Sequence, residues 1–249
     1  MGFRQGEDEM KLSWPHNLVL NKYYLPIKSF TQPDDCSCGL CCLKIVLSFL
    51  GREVPFDALE KMMPPLYDIG LYDSQIGKTA LDLGFSSTIY TYNYRIFHPI
   101  WNRLDRGALI GKLLIKQSCA MTPYQALAAQ CYILYLQEGG DLFFYPLSKE
   151  MIIAHLAQGL PVIAALDMSF LYDCTAFYDE FSEHRATHFI VIHGYNPEDH
   201  TFHVSDPWHS IPLPHDKGQY IIDADRVINA IFLGEYWNDA SILVIQQKR

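Results

Sequence analysis

Hydrophobic residues between Ser37 and Gly51 cover nearly every face of a predicted helix. Two apolar stripes at helical spacing run along this segment, and only Lys44 and Ser48 interrupt them with polar side chains. A helix that is apolar nearly all round is buried in a core. Ser37 stands where a helix N-cap belongs, and Gly51 stands where the helix should stop. We therefore expect the first turn of this helix to form the floor of a cleft.

Helical and strand periodicity extend the assignment to most of the chain. Apolar residues at helical spacing predict helices at about Phe56–Met63, Ser74–Leu83, Ile110–Lys116, Pro123–Gln137, Ser148–Gln158 and Asp223–Phe232. Runs of β-branched and aromatic residues predict strands at 23–30, 161–166, 188–195, 200–206 and 240–247. Helices come first and strands later, which predicts an α+β fold rather than alternating βαβ units. We expect a polar extension over residues 1–22 and a single domain over 23–249.

Composition and charge argue against several classes of protein. Hydrophobic residues make up 49% of the 249 positions and charged residues 19%, so a packed core can form. The net charge of −9 disfavours nucleic-acid and anionic-membrane partners, because both need clustered Lys and Arg. The N-terminus lacks the apolar centre of a secretory signal, and no apolar run reaches the ~18 residues of a membrane span. We expect a soluble, cytoplasmic protein with reduced thiols.

Four of the seven cysteines lie close together, at Cys36, Cys38, Cys41 and Cys42. A zinc site is disfavoured because structural zinc ligands come as two separated pairs. Helix geometry and a reducing compartment disfavour a disulfide within the cluster. Cys38 lies in the first helical turn, where unpaired amides and the helix dipole stabilise a thiolate. We expect Cys38 to be the reactive thiol, Cys36 to be its rival in the preceding loop, and Cys41 and Cys42 to pack in the core.

A nucleophilic cysteine needs a base, and one of the ten histidines is well placed for that role. His188 opens the predicted strand "HFIVIHGY", and Asp206 ends the next strand, "HTFHVSD", just before Pro207. In an antiparallel hairpin the two side chains lie at similar distances from the turn, so they can meet. They would form the histidine–carboxylate half of a Cys–His–Asp triad. On spacing alone, a core histidine and a turn-forming aspartate explain the pattern equally well.

The segment "QPDDCSCGLCCLKIVLSFLG" resembles the active-site segment of the bacteriocin-processing, double-glycine leader peptidases. In that family a Gln precedes the catalytic Cys, a Gly follows it directly, and another Gly closes the helix. Gln32, Cys38, Gly39 and Gly51 stand at those positions. "HFIVIHGYN" and the later "VSDP" resemble the same family's histidine strand and Asp-Pro pair. The nearest likeness is to the free-standing eukaryotic branch known as guanylyl-cyclase-like.

This resemblance implies a papain-like fold, with an N-terminal helical part whose buried active-site helix packs on a C-terminal antiparallel sheet. It assigns Cys38 as the nucleophile, His188 as the general base and Asp206 as the residue that orients the base. Gln32 and the Cys38 amide would form the oxyanion hole, where an uncharged N–H donor suits the developing charge. The implied activity is hydrolysis of a peptide or isopeptide-type bond in a peptide or protein substrate, with no cofactor and no metal.

Two positions depart from the family pattern. Ser37 stands where the family has an Asp directly before the nucleophile, and Cys41 stands where it has a small Ala. The first change alters the approach to the thiol. The second is a tolerable change of size in a core.

Three other functions remain open on the sequence. An acyl or amide transferase uses the same triad, and exclusion of water decides between transfer and hydrolysis. The guanylyl-cyclase-like relatives suggest a nucleotide enzyme, although we find no paired acidic metal motif and no phosphate-cradling loop. A non-catalytic peptide-binding module is the third alternative, because a fold does not fix a function. "IGKTA" lacks the first glycine of a P-loop, so we expect Gly77 to lie within a helix.

Overall fold

The computed structural model describes residues 21–63, 70–120, 122–173, 187–234 and 240–248. Within these ranges the α-helices are α1 Cys38–Phe49, α2 Phe56–Met62, α3 Asp73–Asp82, α4 Arg106–Ser118, α5 Pro123–Gln137, α6 Lys149–Ala157, α7 Met168–Tyr172 and α8 Ala224–Leu233. A short 3₁₀ helix spans Pro99–Arg103. No helix in the described ranges is both long enough and apolar enough to cross a bilayer.

The predicted helices agree with the structure within a few residues. The helix predicted at Pro123–Gln137 matches α5 at both ends. Helix α4 is longer than predicted because Asp105 caps it, its side chain accepting the backbone N–H of Ala108 at 2.8 Å. Helix α7 was not predicted. Most of the expected N-terminal extension lies outside the described residues.

In the described part of the chain, eight strands form one mixed sheet. They are β1 Tyr23–Tyr24, β2 Phe85–Thr91, β3 Asp141–Phe144, β4 Val162–Asp167, β5 Thr187–Asn196, β6 Thr201–Ser205, β7 Gln219–Asp223 and β8 Ser241–Gln247. Seven of them follow the order β3-β2-β8-β4-β5-β6-β7, and β1 pairs with β5. The pair β2–β3 is parallel, and the other pairs are antiparallel.

The sheet contains strands that the sequence does not predict. Strands β2, β3 and β7 were not predicted, and the strand expected at 23–30 is reduced to Tyr23–Tyr24. In β2 the apolar alternation is hidden because Ser87 and Thr91 are buried polar residues. Strand β3 is only four residues long, which is too short for a clear period. The α+β class is correct, but the sheet draws strands from both halves of the chain and contains one parallel pair.

The sheet separates two hydrophobic cores. Helices α1 to α5 cover one face, where Phe189 and Val191 of β5 join the core. Helices α6 to α8 cover the other face, where the alternating residues Ile190 and Ile192 are buried. Helix α1 packs directly against β5. This packing brings the first turn of the buried helix close to the beginning of β5, where Thr187 and His188 lie.

Gly77 lies in the middle of α3, as the sequence predicts. A Cβ atom at this position would lie 2.7 Å from the ring of Tyr135 and 2.8 Å from the Ser87 hydroxyl. The close packing of α3 against α5 and β2 therefore requires a glycine here. Packing, rather than phosphate binding, explains the glycine of "IGKTA".

Candidate active site

Cys38 begins helix α1 at the point where the helix meets β5. Only 9% of the residue is exposed. Gly39 permits the close approach, because a Cβ there would lie 2.8 Å from Ile76 and 3.2 Å from the ring of Phe189. Phe189 directly follows His188, so this packing places the start of α1 beside the start of β5. The Cys38 thiol is near enough to the imidazole to contribute to the raised pKa of His188.

Asp34 ties together the loop that precedes the thiol. Its carboxylate accepts the Cys36 backbone N–H at 2.8 Å, and the Ser37 hydroxyl lies 2.6 Å and 2.7 Å from its two oxygens. Ser37 occupies the N-cap position of α1, but its side chain bonds no helix amide. The helix therefore begins where the sequence predicts, with Ser37 at its N-cap. The predicted bond from the Ser37 side chain to a helix amide is not formed. Asp34 and Asp35 are both exposed, as expected, although the Asp34 carboxylate turns back onto the loop.

Gln32 is buried at the start of this loop, with 3% of its surface exposed. Its side-chain Nε2 donates to the backbone oxygen of Asp34 at 2.7 Å, and its backbone N–H donates to the oxygen of Pro207 at 2.8 Å. An amide group carries two N–H donors, so this bond leaves a second donor for another acceptor. The bond to Pro207 joins the nucleophile loop to the residue that follows Asp206.

His188 and Asp206 meet at the open end of the hairpin formed by β5 and β6. His188 Nε2 lies 2.8 Å from Asp206 Oδ1, and both side chains are almost completely buried. An ionised carboxylate can only accept, so Nε2 carries the hydrogen. The other ring nitrogen, Nδ1, is then left available for proton exchange with Cys38. The structure thus brings together the thiol, imidazole and carboxylate that the sequence singled out.

The Asp206 carboxylate is surrounded by hydrogen-bond donors. Oδ1 accepts the backbone N–H of Trp208 at 2.9 Å as well as the His188 ring. Oδ2 accepts the hydroxyl of Tyr172 at 2.7 Å and the hydroxyl of Tyr220 at 2.8 Å. A buried carboxylate is tolerated when its lone pairs are satisfied in this way.

Burial and charge together set the ionisation states of His188 and Asp206. Burial disfavours both charged forms, but the neighbouring opposite charge and the hydrogen bonds outweigh it. The pKa of His188 is raised by the Asp206 charge and by the hydrogen bonds to Asp206 and Cys38, against the opposing effect of burial. The pKa of Asp206 is lowered by the His188 charge and by donors from His188, Tyr172 and Trp208, again against burial. The pair is therefore an imidazolium and a carboxylate at neutral pH.

The other cysteines of the cluster occupy different environments. Cys41 and Cys42 are fully buried in the core, as predicted. Burial, with the nearby Cys38, raises the pKa of Cys41 to about 12 and the pKa of Cys42 well above its ordinary value. Both are therefore thiols that do not react at neutral pH. Cys36 is partly exposed in the loop.

Three residues around the carboxylate were missed by the sequence reasoning. The ring of Trp208 lies edge-on to His188, with 6.1 Å between ring centroids. Its position two residues after Asp206 is a signal that could have found it. Tyr172 ends α7 and Tyr220 lies in β7, and neither element was predicted. No local pattern connects these two tyrosines with Asp206.

The chain resembles known peptidases. It matches the sequence model of one family, and solved peptidase structures are similar to it. Residues 24–222 match the model of the Peptidase_C39 like family. A protein described as a C39-like peptidase from Bacillus anthracis is 12% identical, over 92% of this chain and 98% of its own, with a TM-score of 0.51. Xylellain, a cysteine protease from Xylella fastidiosa, is 15% identical over 92% of this chain and 86% of its own, with a TM-score of 0.47.

A double glycine motif protease from an AMS/PCAT transporter, solved with the leader peptide, is 12% identical over 92% of this chain and 99% of its own, with a TM-score of 0.44. Comparison with curated proteins gave no significant match. The family match and the Bacillus anthracis structure establish the α+β, papain-like fold.

Proposed function

Because the chain belongs to the Peptidase_C39 like family and is a cysteine peptidase, we propose that it hydrolyses a peptide or isopeptide-type bond with Cys38 as the nucleophile. His188 acts as the acid and base, and Asp206 orients it. Gln32 stabilises the oxyanion. One observation carries this assignment: His188 lies 2.8 Å from Asp206, and Cys38 is near enough to contribute to the raised pKa of its imidazole. A nucleophile, a base and an orienting group in contact are the arrangement that covalent catalysis needs.

The raised pKa of His188 refines the role of the histidine. In the proposed reactive form the thiol proton resides on the imidazole, which the Asp206 charge stabilises as an imidazolium. The thiolate then attacks the carbonyl carbon of the substrate directly. His188 acts first as a general acid, giving its Nδ1 proton to the departing amine. This order of events differs from the one expected from sequence, in which His188 first acts as a base.

The second half of the cycle removes the acyl group. Neutral His188 takes a proton from water, and the hydroxide formed attacks the thioester carbon. The tetrahedral intermediate collapses, the carboxylic acid product leaves, and Cys38 returns to the thiolate beside the imidazolium. Asp206 keeps its charge throughout and stabilises the imidazolium at each stage.

The oxyanion of each tetrahedral intermediate is stabilised by two donors. The backbone N–H of Cys38 belongs to the first turn of α1, where helix amides have no partner within the helix. The second N–H of the Gln32 amide is the other donor. Its first N–H is bonded to Asp34, which fixes the direction of the amide group. Preorganised donors of this kind typically contribute about 10²–10³ in kcat each.

A peptide or protein is the substrate that this chemistry implies. An acyl transferase with the same triad remains the second candidate, since its acyl-enzyme differs only in the acceptor. The family match gives no support to a guanylyl-cyclase-like activity.

Trapping the acyl-enzyme tests the proposal. The protein is incubated with a library of acyl peptides and quenched in acid, and the adduct is located by mass spectrometry. The proposal requires an adduct on Cys38 that disappears in Cys38→Ala and persists in the matched variant Cys36→Ala. Chasing the adduct with water or with amines separates the two candidates. Turnover in water supports the hydrolase, and turnover only with amines identifies a transferase. Activity that survives in Cys38→Ala contradicts both.

A further inference from the structure

The two phenol groups on Asp206 have no part in the proposed chemical steps, yet they are built into the centre of the site. Tyr172 is 3% exposed and Tyr220 is 5% exposed, so neither hydroxyl is placed there by access to solvent. The two residues come from α7 and β7, which lie on opposite sides of Asp206 in the chain. Both hydroxyls converge on the same oxygen, Oδ2, at 2.7 Å and 2.8 Å.

We propose that Tyr172 and Tyr220 are positioning residues that hold Asp206 as an anion, directed at His188, and so set the pH range in which the Cys38–His188 pair is active. This inference rests on the proposed function, because it concerns the ionisation of that same site. Neither tyrosine contacts Cys38 through a bond that the mechanism requires. Both act through the carboxylate.

The geometry explains why two neutral donors are used. Oδ1 is occupied by His188 and by the Trp208 amide, so a carboxylate bonded only there could still rotate about its Cβ–Cγ bond. Two donors on Oδ2 remove that freedom and satisfy the remaining lone pairs. A cation in their place would compete with the imidazolium for the carboxylate charge. Phenols stabilise the anion and leave His188 as its only cationic partner among the described residues.

Few other titratable groups among the described residues face Asp206. His188 approaches from β5, Cys38 and Cys42 from α1, Tyr172 from α7 and Tyr220 from β7. Burial and the Asp206 charge raise the pKa of both phenols far above neutrality, so the tyrosines stay protonated over the whole working range. Buried Cys42 also stays neutral. Among the described groups around Asp206, the carboxylate is therefore the one whose loss of charge the acidic limb reports.

Removing the hydroxyl of Tyr172 or Tyr220 should raise the pKa of Asp206. Asp206 is ionised when the pH is above its lowered pKa, and its support of the imidazolium is lost as the pH falls through that value. Loss of a donor to the anion raises the pKa, so the loss of support occurs at higher pH. A hydrogen bond to a charged group is worth roughly one pKa unit. We expect the acidic limb of the activity profile to move upward by about one pH unit for each hydroxyl removed.

The experiment measures the alkylation rate of Cys38 and kcat/KM from pH 3.5 to 9 in Tyr172→Phe, Tyr220→Phe and the double variant. The matched control is Tyr132→Phe, because Tyr132 is a buried tyrosine whose hydroxyl donates to a different buried carboxylate, that of Asp73, at 3.1 Å. All four variants lose a buried phenol–carboxylate bond. Only three of them lose one on Asp206.

We expect the acidic limb of the pH profile to move to higher pH in both single variants and further in the double variant. In Tyr132→Phe it should stay at its wild-type pH. At the acid end of the range, near pH 3.5, the single variants should be slower by up to about tenfold, while near pH 7.5 the difference should nearly vanish. Unshifted limbs in folded single variants overturn the inference, even if thermal stability falls. If the double variant does not fold, the single variants decide the question. Activity that survives Cys38→Ala would instead reject the proposed function itself.

Discussion

His188 Nε2 and Asp206 Oδ1 lie 2.8 Å apart because of an irregularity in the hairpin that carries them. Near the turn, Gly194 pairs with His203, whereas beyond His193 the register shifts by one residue and Val191 pairs with Ser205. A shift of one residue exchanges the two faces of a strand. Without this bulge, Asp206 would continue on the face opposite His188. The bulge at His193 is therefore what allows the two side chains to meet.

The bulge is held by a third segment of the chain. The backbone N–H of Leu25 donates to the His193 oxygen at 2.8 Å, and the His193 ring Nδ1 bonds the Leu25 oxygen at 2.9 Å. Leu25 directly follows the short strand β1. The N-terminal segment thus fixes the register on which the pairing of His188 and Asp206 depends.

Replacing Asp206 with Asn should change the pH profile more than the maximum rate. The amide keeps the size and a hydrogen-bond acceptor but removes the charge that raises the pKa of His188. In the wild type the imidazolium persists until the pH rises through that raised value. In Asp206→Asn it should be lost near or below the ordinary value of about 6.5.

Measuring kcat/KM from pH 5 to 10 in the wild type and in Asp206→Asn shows at which pH each loses the imidazolium. The variant should lose at least tenfold more activity at pH 8 than at pH 6. A basic limb that stays in its wild-type position would show that Asp206 does not control His188.

Gln32→Ala should lower kcat by about 10²–10³ while KM changes only a few-fold, because an oxyanion exists in the transition state and not in the bound substrate. Gln117→Ala is the control, since Gln117 bonds the side chain of Gln130 far along the chain from the site. A loss that falls mainly on KM would indicate that Gln32 binds the substrate rather than the oxyanion.

Asp34→Ala should weaken catalysis although the residue is exposed. The carboxylate bonds both Cys36 and Ser37, so its removal loosens the loop between Gln32 and Cys38. We expect kcat/KM to fall by roughly tenfold, because misplaced donors are costly to catalysis. Asp35→Ala, one residue away and equally exposed, should remain near wild type. Equal effects of the two substitutions, measured with the same peptide, would assign the loss to surface charge alone.

Buried His155 should make the protein less stable in acid. Burial lowers its pKa to about 4, whereas the unfolded chain binds the proton near 6.5. Between these values the unfolded state holds more protons, so stability falls as the pH drops through that window. His155→Met should reduce the difference in unfolding free energy between pH 7 and pH 5 by on the order of 1–2 kcal/mol. Urea unfolding of both proteins at pH 7 and pH 5 gives this free-energy difference. The same difference in wild type and in His155→Met would contradict the argument that burial lowers the pKa of His155.

The active-site helix and the hairpin were predictable because both rest on local patterns. The all-round apolar run after Ser37 predicts a buried helix, and the alternation after His188 predicts a buried strand. The matched positions of Gln32 and Cys38 then indicated the family, and the match over residues 24–222 confirms it.

Features that depend on contacts distant in sequence were not predictable. Leu25 and His193 are far apart in the chain, yet their bonds hold the bulge. Tyr220 reaches Asp206 from a strand whose short polar pattern gave no signal. The Ser37 hydroxyl was expected to cap a helix, but Asp34 offers it a charged acceptor, which forms the stronger bond.

The central claim is that Cys38 is the nucleophile, and thiol reactivity tests it most directly. Native protein is alkylated with limiting iodoacetamide from pH 4 to 9, and the modified peptides are quantified by mass spectrometry for Cys36, Cys38 and exposed Cys119. We predict that Cys38 reacts at least roughly tenfold faster than free cysteine at pH 6, and that His188→Ala abolishes the advantage. If Cys38 reacts no faster than free cysteine while Cys36 does, the assignment of the nucleophile is wrong.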